Sequence, residues 1–400
     1  MTRLFALAVL LVLLIAPTAR AADLAATQRV LNREMARSGA YSGAYVVDVR
    51  TGQELYSYRA DVARMPASVE KLYTSATALL NYGPEGRLTT QVLASALPDD
   101  TGTIIGDIVL RGGGDPTFGT SATSALARRL VTAGLTRIEG RVIGDESAFD
   151  VFRGVPASNF RLTSEVGPLS ALSFNRGRTG KSRPYYQASP ARFAAQEFEK
   201  ALKRHGVRIT GKARKGTAPT GTTPYSEWTS PSVGAIVRLM NQPSDNFIAE
   251  TLIKGLGAEF GIAGSTAGGG AAMRQTLRRF DIAPTIVDGS GLSRANRTSP
   301  RQVVQLLTGM DASEAATPFD ESLAVAGRSG TLDRRMRGTS AQDRCRAKTG
   351  TLRDVSALAG FCDTTGGERI AFAFLMNGVW PASARARQDR MTVALARYGT

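Results

Sequence analysis

The sequence carries a single histidine, His205, and only two cysteines, Cys345 and Cys362, in 400 residues. A Ser-His-Asp or Cys-His hydrolase would have to rest its base on that one imidazole, and a zinc centre ordinarily wants several such ligands. His205 lies in LKRHGVRITG, a basic helix end running into a turn, where a solvated side chain is the simpler reading. Any hydrolytic chemistry in this chain therefore calls for a base other than histidine. One cysteine pair is too little to staple a small fold. Internal repeats and low-complexity tracts are absent as well, and an apolar fraction of 42% is that of a globular chain.

Long apolar runs are missing too, with one exception. Arg3 is followed by an unbroken apolar stretch from Leu4 to Ala16 and then by Ala19-Arg20-Ala21. Charge, short apolar core and small-residue site together read as a secretory leader over residues 1–21, cleaved after Ala21 or Ala22. The run is short for a bilayer span, and no other segment is apolar enough for one. The expected location is thus the periplasm or the outside of the cell. The formal charge is +16, and loss of Arg3 and Arg20 with the leader leaves +14. The basic residues are scattered rather than gathered into an arm or an aromatic-interleaved stripe, which argues against nucleic acid. Cell-wall polymers, anionic lipid head groups and carboxylate-bearing substrates fit such a surface.

Periodicity predicts a helix over 23–38, with Leu24, Val30, Leu31 and Met35 near helical spacing. YSGAYVVDVR and QELYSY read as two strands around Thr51-Gly52. A helix follows through Ser68 to about Asn81, ended by Tyr82-Gly83-Pro84. From 87 to 227 the texture changes to short β-like pieces (TTQVLASAL, GTIIGDIVLRGGGD, RIEGRVIGD, GVRITGKARKG) between Gly-rich turns, which predicts an inserted β-rich domain. Helices return near 231–241, 246–256, 267–280 and 300–309. Three strands then follow in series, DRCRAKTGTL, DVSALAGFCDT and ERIAFAFLMNG, before a last helix over about 382–398. The expectation is an α+β chain. Residues 22–86 and 228–400 would form one discontinuous domain, with an antiparallel sheet flanked by helices and a helical cluster.

Ser68 stands three residues before Lys71, one helical face away. Alone, this pair reads equally as a helix cap beside a surface lysine. It is the only Ser-x-x-Lys among the eight lysines. Two triplets give it company. Ser244-Asp245-Asn246 lies at the joint of two predicted helices, and Lys348-Thr349-Gly350, continued by Thr351, lies in a predicted strand. Ser-x-x-Lys, Ser-Asp-Asn and Lys-Thr-Gly, in that order, are the signature of penicillin-binding proteins and serine β-lactamases. Decoys are present. Ser173-Phe174-Asn175 and Arg178-Thr179-Gly180 stand too close together for opposite walls of a cleft. Arg50-Thr51-Gly52 reads as a hairpin turn, and Ser329-Gly330-Thr331-Leu332 lacks a cation.

With these residues in view, the chain resembles the D-alanyl-D-alanine carboxypeptidase/endopeptidase family, the type-4 penicillin-binding proteins. PASVEKLYTSATALL, GDIVLRGGGDPTF, VIGDESAFD, VRLMNQPSDNFIAETL, DGSGLSRANRTSP, AGRSGTLDRRMRGT and RAKTGTLRDVSALAGF all look like that family, in its order. The stretch RGRTGKSRPYYQASP (176–190) is shorter than the family's, so the insertion is expected to be trimmed. The resemblance implies a penicillin-recognising, β-lactamase-like fold and a cofactor-free, metal-free serine mechanism on peptidoglycan peptides, inhibited by β-lactam antibiotics. It implies Ser68 as nucleophile and Lys71 as its base, with Ser244 and Lys348 returning the proton. Asn246 would hold the acyl side chain, Lys348, Thr349, Gly350 and Thr351 would line the substrate, and the backbone N–H groups of Ser68 and Thr351 would bind the oxyanion.

Two rival readings differ from this one. A β-lactamase of class A would add a deacylating glutamate; Glu250 inside a helix and Glu259 in a Gly-flanked turn show no such context. A silent wall-binding protein would be expected to have lost one of the five motif residues. Finally, a hairpin centred on Arg353-Asp354 would set Cys345 opposite Cys362 and allow a bridge that braces the Lys348 strand. Two separate thiols are the alternative, because one bulge shifts the register. The arginines of the last helix, Arg385, Arg387, Arg390 and Arg397, could face lipid head groups or water.

Overall fold

A computed structural model describes residues 23–180 and 185–399; the expected leader at 1–21 lies outside the described residues. Helix α1 covers residues 23–36. The hairpin of β1 (Ser42–Asp48) and β2 (Glu54–Tyr58) follows, turning through the Arg50-Thr51-Gly52 decoy. Ser68 does not enter an α-helix directly. It sits in a 3-10 turn, Ala67–Glu70, which runs into α2 (Lys71–Tyr82). Helix α2 is buried all round from Lys71 to Leu79, as a helix at the centre of a large domain must be.

The next stretch builds two further sheets. Strands β3 (Thr89–Ala94), β4 (Thr103–Ile105), β5 (Ile108–Gly112), β6 (Arg137–Glu139) and β7 (Val142–Asp145) alternate with α3 (Thr120–Thr132) and α4 (Pro190–Arg204). Strands β8 (Arg208–Ile209), β9 (Arg214–Lys215) and β10 (Thr223–Thr229) complete them. The order is β10-β3-β5-β7-β9 in one sheet and β4-β6-β8 in the other. Sequence pieces that read as one β segment, such as GTIIGDIVL, split into two short strands that serve different sheets. Strand β10 was not anticipated: its alternation is mostly exposed and carries little apolar signal.

The helical cluster comprises α5 (Val233–Asn241), α6 (Asn246–Phe260), α7 (Thr266–Leu277), α8 (Pro300–Asp311) and the short α9 (Ala316–Ser322). Glu259 falls inside the last turn of α6 rather than in a turn beyond it. Two-residue β11 (Ala324–Val325), then β12 (Cys345–Leu352), β13 (Val355–Asp363), β14 (Arg369–Asn377) and α10 (Pro381–Ala396) close the chain. One fully antiparallel sheet, β11-β12-β13-β14-β1-β2, unites strands from both ends of the sequence.

Both faces of this sheet are covered, which explains its near-continuous apolar strands. Tyr45, Val47, Ala357, Ala359, Phe361, Ala373 and Leu375 pack toward α2, α5, α6 and α8. The alternate residues Ala44, Val46, Leu358, Phe372, Phe374 and Met376 pack against Leu31 and Met35 of α1 and Met391 and Leu395 of α10. The β12–β13 register pairs Cys345 with Cys362, and the two form a disulfide. Among the described residues no helix is long and apolar enough to cross a membrane.

Candidate active site

The turn that carries Ser68 is closely packed by its neighbours. Ala67 adopts a left-handed φ of 49°, a conformation that costs energy in a non-glycine residue. Its carbonyl presses on Gly291 of the DGSGLS stretch, where a Cβ would meet the oxygen at 1.9 Å. Strand β12 closes in from the other side: a Cβ at Gly350 would stand 2.6 Å from the Pro66 carbonyl and 3.1 Å from the Ser68 amide nitrogen. Glycine at position 350 is therefore what lets the Lys-Thr-Gly strand lie against the Ser68 turn.

Lys71 is completely buried beneath Ser68. Its Nζ lies 3.0 Å from Ser68 Oγ, 2.7 Å from Asn246 Oδ1 and 2.7 Å from the Ser290 carbonyl. A neutral amine has two donors and one lone pair. Two of these partners only accept, and the third is a hydroxyl that accepts from the ammonium and can donate to the neutral amine, so the same three contacts serve both protonation states. Burial lowers the Lys71 pKa to about 8, against the opposing pull of the Glu250, Asp288, Asp245 and Glu70 carboxylates.

Three of those carboxylates, Glu70, Glu250 and Asp288, form a buried group that the sequence pattern does not reveal. Glu250 Oε1 accepts the Ser290 N–H at 2.8 Å, on the same residue whose carbonyl holds Lys71. Asp288 accepts from the Gly291 and Ser293 N–H groups and from Asn296 Nδ2 at 2.6–2.8 Å. Glu70 is fully buried, and neither carboxylate oxygen has a hydrogen-bond partner among the described residues. Burial, reinforced by the neighbouring acids, pushes Glu70 well above the usual carboxylate range and Glu250 up to about 8. The signal lay in SVEK, SDNFIAE and DGSG, yet only the fold reveals that the three acids meet.

The second wall is the α5–α6 joint. Ser244 takes a left-handed φ of 63°, and Asp245 caps α6 by accepting the Ile248 N–H at 2.9 Å. Asp245 also pairs with Arg176, in the stretch that looked like a decoy. Lys348 on β12 is fully buried and donates to Ser244 Oγ at 2.8 Å and to the Thr349 carbonyl at 2.8 Å. Burial, aided by the charge of Lys71, drives its pKa well below the lysine range. Asn246 is engaged at both ends, since Nδ2 donates to the Glu165 carbonyl at 3.3 Å. It therefore orients Lys71, in addition to whatever it offers a ligand.

Ser68, Ser244, Asn246, Thr349 and Thr351 line one open cleft of about 420 Å³, with Glu165, Leu292, Thr331, Arg335 and Arg385. Lys71, Lys348 and Gly350 lie directly behind them, so all eight residues picked from the sequence converge. Thr331, set aside with a motif lacking a cation, hydrogen-bonds Thr349 at 2.8 Å between hydroxyl oxygens. Arg385 does not face away from the molecule: its Nη2 donates to Thr351 Oγ1 at 3.1 Å. Arg390 pairs with the buried Glu34 at 2.7 Å. Arg335 lies in AGRSGTLDRRMRGT and Arg385 in the last helix, but neither carried an expected role in the site, and no motif marked Glu165.

The chain as a whole has known relatives. The D-Ala-D-Ala carboxypeptidase 3 (S13) family matches residues 25–179 and 177–398. The chain is 31% identical to the D-alanyl-D-alanine carboxypeptidase of Actinomadura sp. (strain R39), over 91% of this chain and 82% of that protein. It is 30% identical to the carboxypeptidase DacB of Mycolicibacterium smegmatis, over 88% and 80% respectively. In three dimensions it resembles penicillin binding protein 4 of Haemophilus influenzae with a TM-score of 0.80 at 19% identity, covering 92% of this chain and 99% of that one. A predatory peptidoglycan endopeptidase of Bdellovibrio bacteriovorus shares the fold at a TM-score of 0.53 and 21% identity, covering 84% and 86%. With both halves of the chain matched and the motifs in place, the protein belongs to the D-Ala-D-Ala carboxypeptidase 3 (S13) family.

Proposed function

We propose that this carboxypeptidase is exported and cleaves D-Ala-D-Ala stem peptides of peptidoglycan through a Ser68 acyl-enzyme, with Lys71 as general base. The observation that carries the reading is the Lys71 amine, buried and held by two acceptors with its third contact on Ser68 Oγ. Lys71 takes the Ser68 proton as Oγ attacks the carbonyl between the two D-alanines. The N–H groups of Ser68 and Thr351 stabilise the oxyanion. The Ser244–Lys348 pair delivers a proton to the leaving amine of D-alanine, and water then hydrolyses the ester to free the shortened peptide and Ser68. A β-lactam acylates the same oxygen. Cross-linked peptides with a D-Ala amide enter by the same chemistry, which gives endopeptidase activity.

The test is Ser68→Ala. The variant is expected to keep the wild-type melting temperature and circular dichroism while losing all labelling by a fluorescent penicillin and all D-alanine release. Persistent labelling would sink the assignment. Export rests on residues 1–21 and predicts a secreted chain whose mass begins at Ala22 or Asp23. The division into 22–86 with 228–400 and an inserted 87–227 belongs to the same proposal, and limited proteolysis at the two junctions checks it.

A further inference from the structure

Several connections of the antiparallel sheet meet at one of its ends. The register there closes with Leu352 opposite Val355, Val355 opposite Asn377, Met376 opposite Ser42 and Tyr58 opposite Ala44. Beyond these pairs lie the α1–β1 turn (37–41), the loop after β2 (59–64), the Arg353-Asp354 hairpin turn and the β14–α10 joint (378–380). Exposed large apolar side chains gather in these connections: Tyr41, Val62 and Trp380 stand at 73%, 56% and 74% exposure. Scattered singly, such residues are ordinary. Gathered at one end of a sheet, they mark a contact surface.

This surface is held in shape from below. Arg64 is buried and donates to the Tyr41 carbonyl at 3.0 Å, to the Ser42 and Arg59 carbonyls at 2.9 Å, and to the Val62 carbonyl. A Cβ at Gly378 would stand 3.3 Å from the Tyr41 ring, so that ring lies beside the segment leading to Trp380. The free charge here has one sign. Asp61 and Asp354, the acids of these connections, are already paired, with Arg301 at 2.6 Å and Arg294 at 2.8 Å. Arg37, Arg59 and Arg353 are exposed and make no ion pair among the described residues. Arg59 donates to the Ala40 carbonyl, which fixes it next to Tyr41.

Tryptophan and tyrosine rings have an apolar body and a polar tip, which suits them to the head-group layer of a bilayer. Uncompensated arginines beside them complement the phosphates of anionic lipids. A neutral partner would leave those cations without a counter-charge. We propose that this end of the sheet docks the protein peripherally on an anionic lipid surface, with Tyr41, Val62 and Trp380 entering the head-group layer and Arg37, Arg59 and Arg353 meeting phosphates. The proposal goes beyond the peptidase reading and does not depend on it. Thr351, which lines the cleft, stands two residues before Arg353, about 7 Å along an extended strand, so docking sets one end of the cleft beside the lipid.

The experiment sediments the exported chain, beginning at Ala22 or Asp23, with vesicles of phosphatidylcholine alone or of equimolar phosphatidylcholine and phosphatidylglycerol. The wild-type chain is expected to pellet with the phosphatidylglycerol vesicles at low salt and to be released at high salt. Tyr41→Ser with Trp380→Ser should weaken the partition at least about 10-fold through lost apolar burial. Arg37→Gln and Arg353→Gln should each weaken it about 5-fold. All four side chains are exposed, and an unchanged melting temperature marks the variants as folded. Trp228 is the only other tryptophan, so in a Trp228→Phe background the emission of Trp380 should shift to the blue on the same vesicles. A wild-type chain that stays in the supernatant with every vesicle overturns the proposal. Pelleting that the four substitutions leave unchanged overturns it too, by placing the contact elsewhere. So does Trp380-dependent attachment to purified peptidoglycan, or to a second copy of the chain, without attachment to vesicles.

Discussion

A lysine serves as a base only as its neutral amine, and in water that form is scarce near pH 7. Lys71 meets the requirement by burial, which brings it to about 8 while four carboxylates oppose the shift. Three of those acids are themselves buried and pushed upward, so they hold protons where exposed carboxylates would not, and oppose the shift less than three full charges would. The expected pH dependence follows from the sign. Below about 8 Lys71 is charged and cannot accept the Ser68 proton; above it the amine is free. The rate constant for acylation by a fluorescent penicillin should therefore rise with pH between 6 and 9 and level off above. A rate that is flat or falls over that range would exclude Lys71 as the titrating base.

At the level of elements, the site depends on how closely β12 approaches the Ser68 turn. The β12–β13–β14 hairpins fix the strand through a continuous register, and the Cys345–Cys362 disulfide ties its outer end. Nothing but the hydrogen of Gly350 separates the strand from the Pro66 carbonyl. Gly350→Ala should push β12 from the turn by several tenths of an ångström. A serine nucleophile and its oxyanion donors do not tolerate such a displacement. The expected outcome is at least a roughly 10-fold loss in penicillin acylation, with a stability cost of about 1–3 kcal/mol. Unfolding by urea and labelling kinetics on the same preparation separate the two effects.

Across the whole molecule, the 87–227 stretch is joined to the catalytic helices by polar clamps. Arg176 pairs with Asp245, which stands between Ser244 and Asn246, and both Arg176 and its neighbour Asn175 take left-handed φ values. Lys254, on the same helix as Asn246, is fully buried and donates to Asp150 at 2.5 Å and to the Phe152 carbonyl at 2.8 Å. Removing one partner of a buried pair leaves the other uncompensated. Asp150→Ala strands a buried ammonium and should cost about 3 kcal/mol or more. Lys254→Met removes that charge and leaves Asp150, which is partly exposed, to water, at less than half the cost. Chemical denaturation of the two variants checks the order, and equal losses would show that the clamp carries little electrostatic weight.

Much of this was legible from residue order. The strands β1, β12, β13 and β14 carry dense apolar runs, the only Ser-x-x-Lys leads into α2, and the paucity of histidine leaves lysine as the base. Local pattern failed where the signal is short or polar, as in β10, β11 and α9. It also could not tell a turn from a helix at Ser68, because a 3-10 turn and a first α-helical turn ask for the same residues. The sequence by itself determined which residues are candidates for the chemistry: Ser68, Lys71, Ser244, Asn246 and the Lys348–Thr351 strand. Only the tertiary structure decided the rest. It buried Lys71 with Glu70, Glu250 and Asp288, brought Thr331 into the wall, and turned Arg385 toward Thr351. Apart from the adjacent Glu70 and Lys71, these residues stand from 18 to more than 200 positions apart, and burial and proximity at that range belong to packing, which no local pattern encodes.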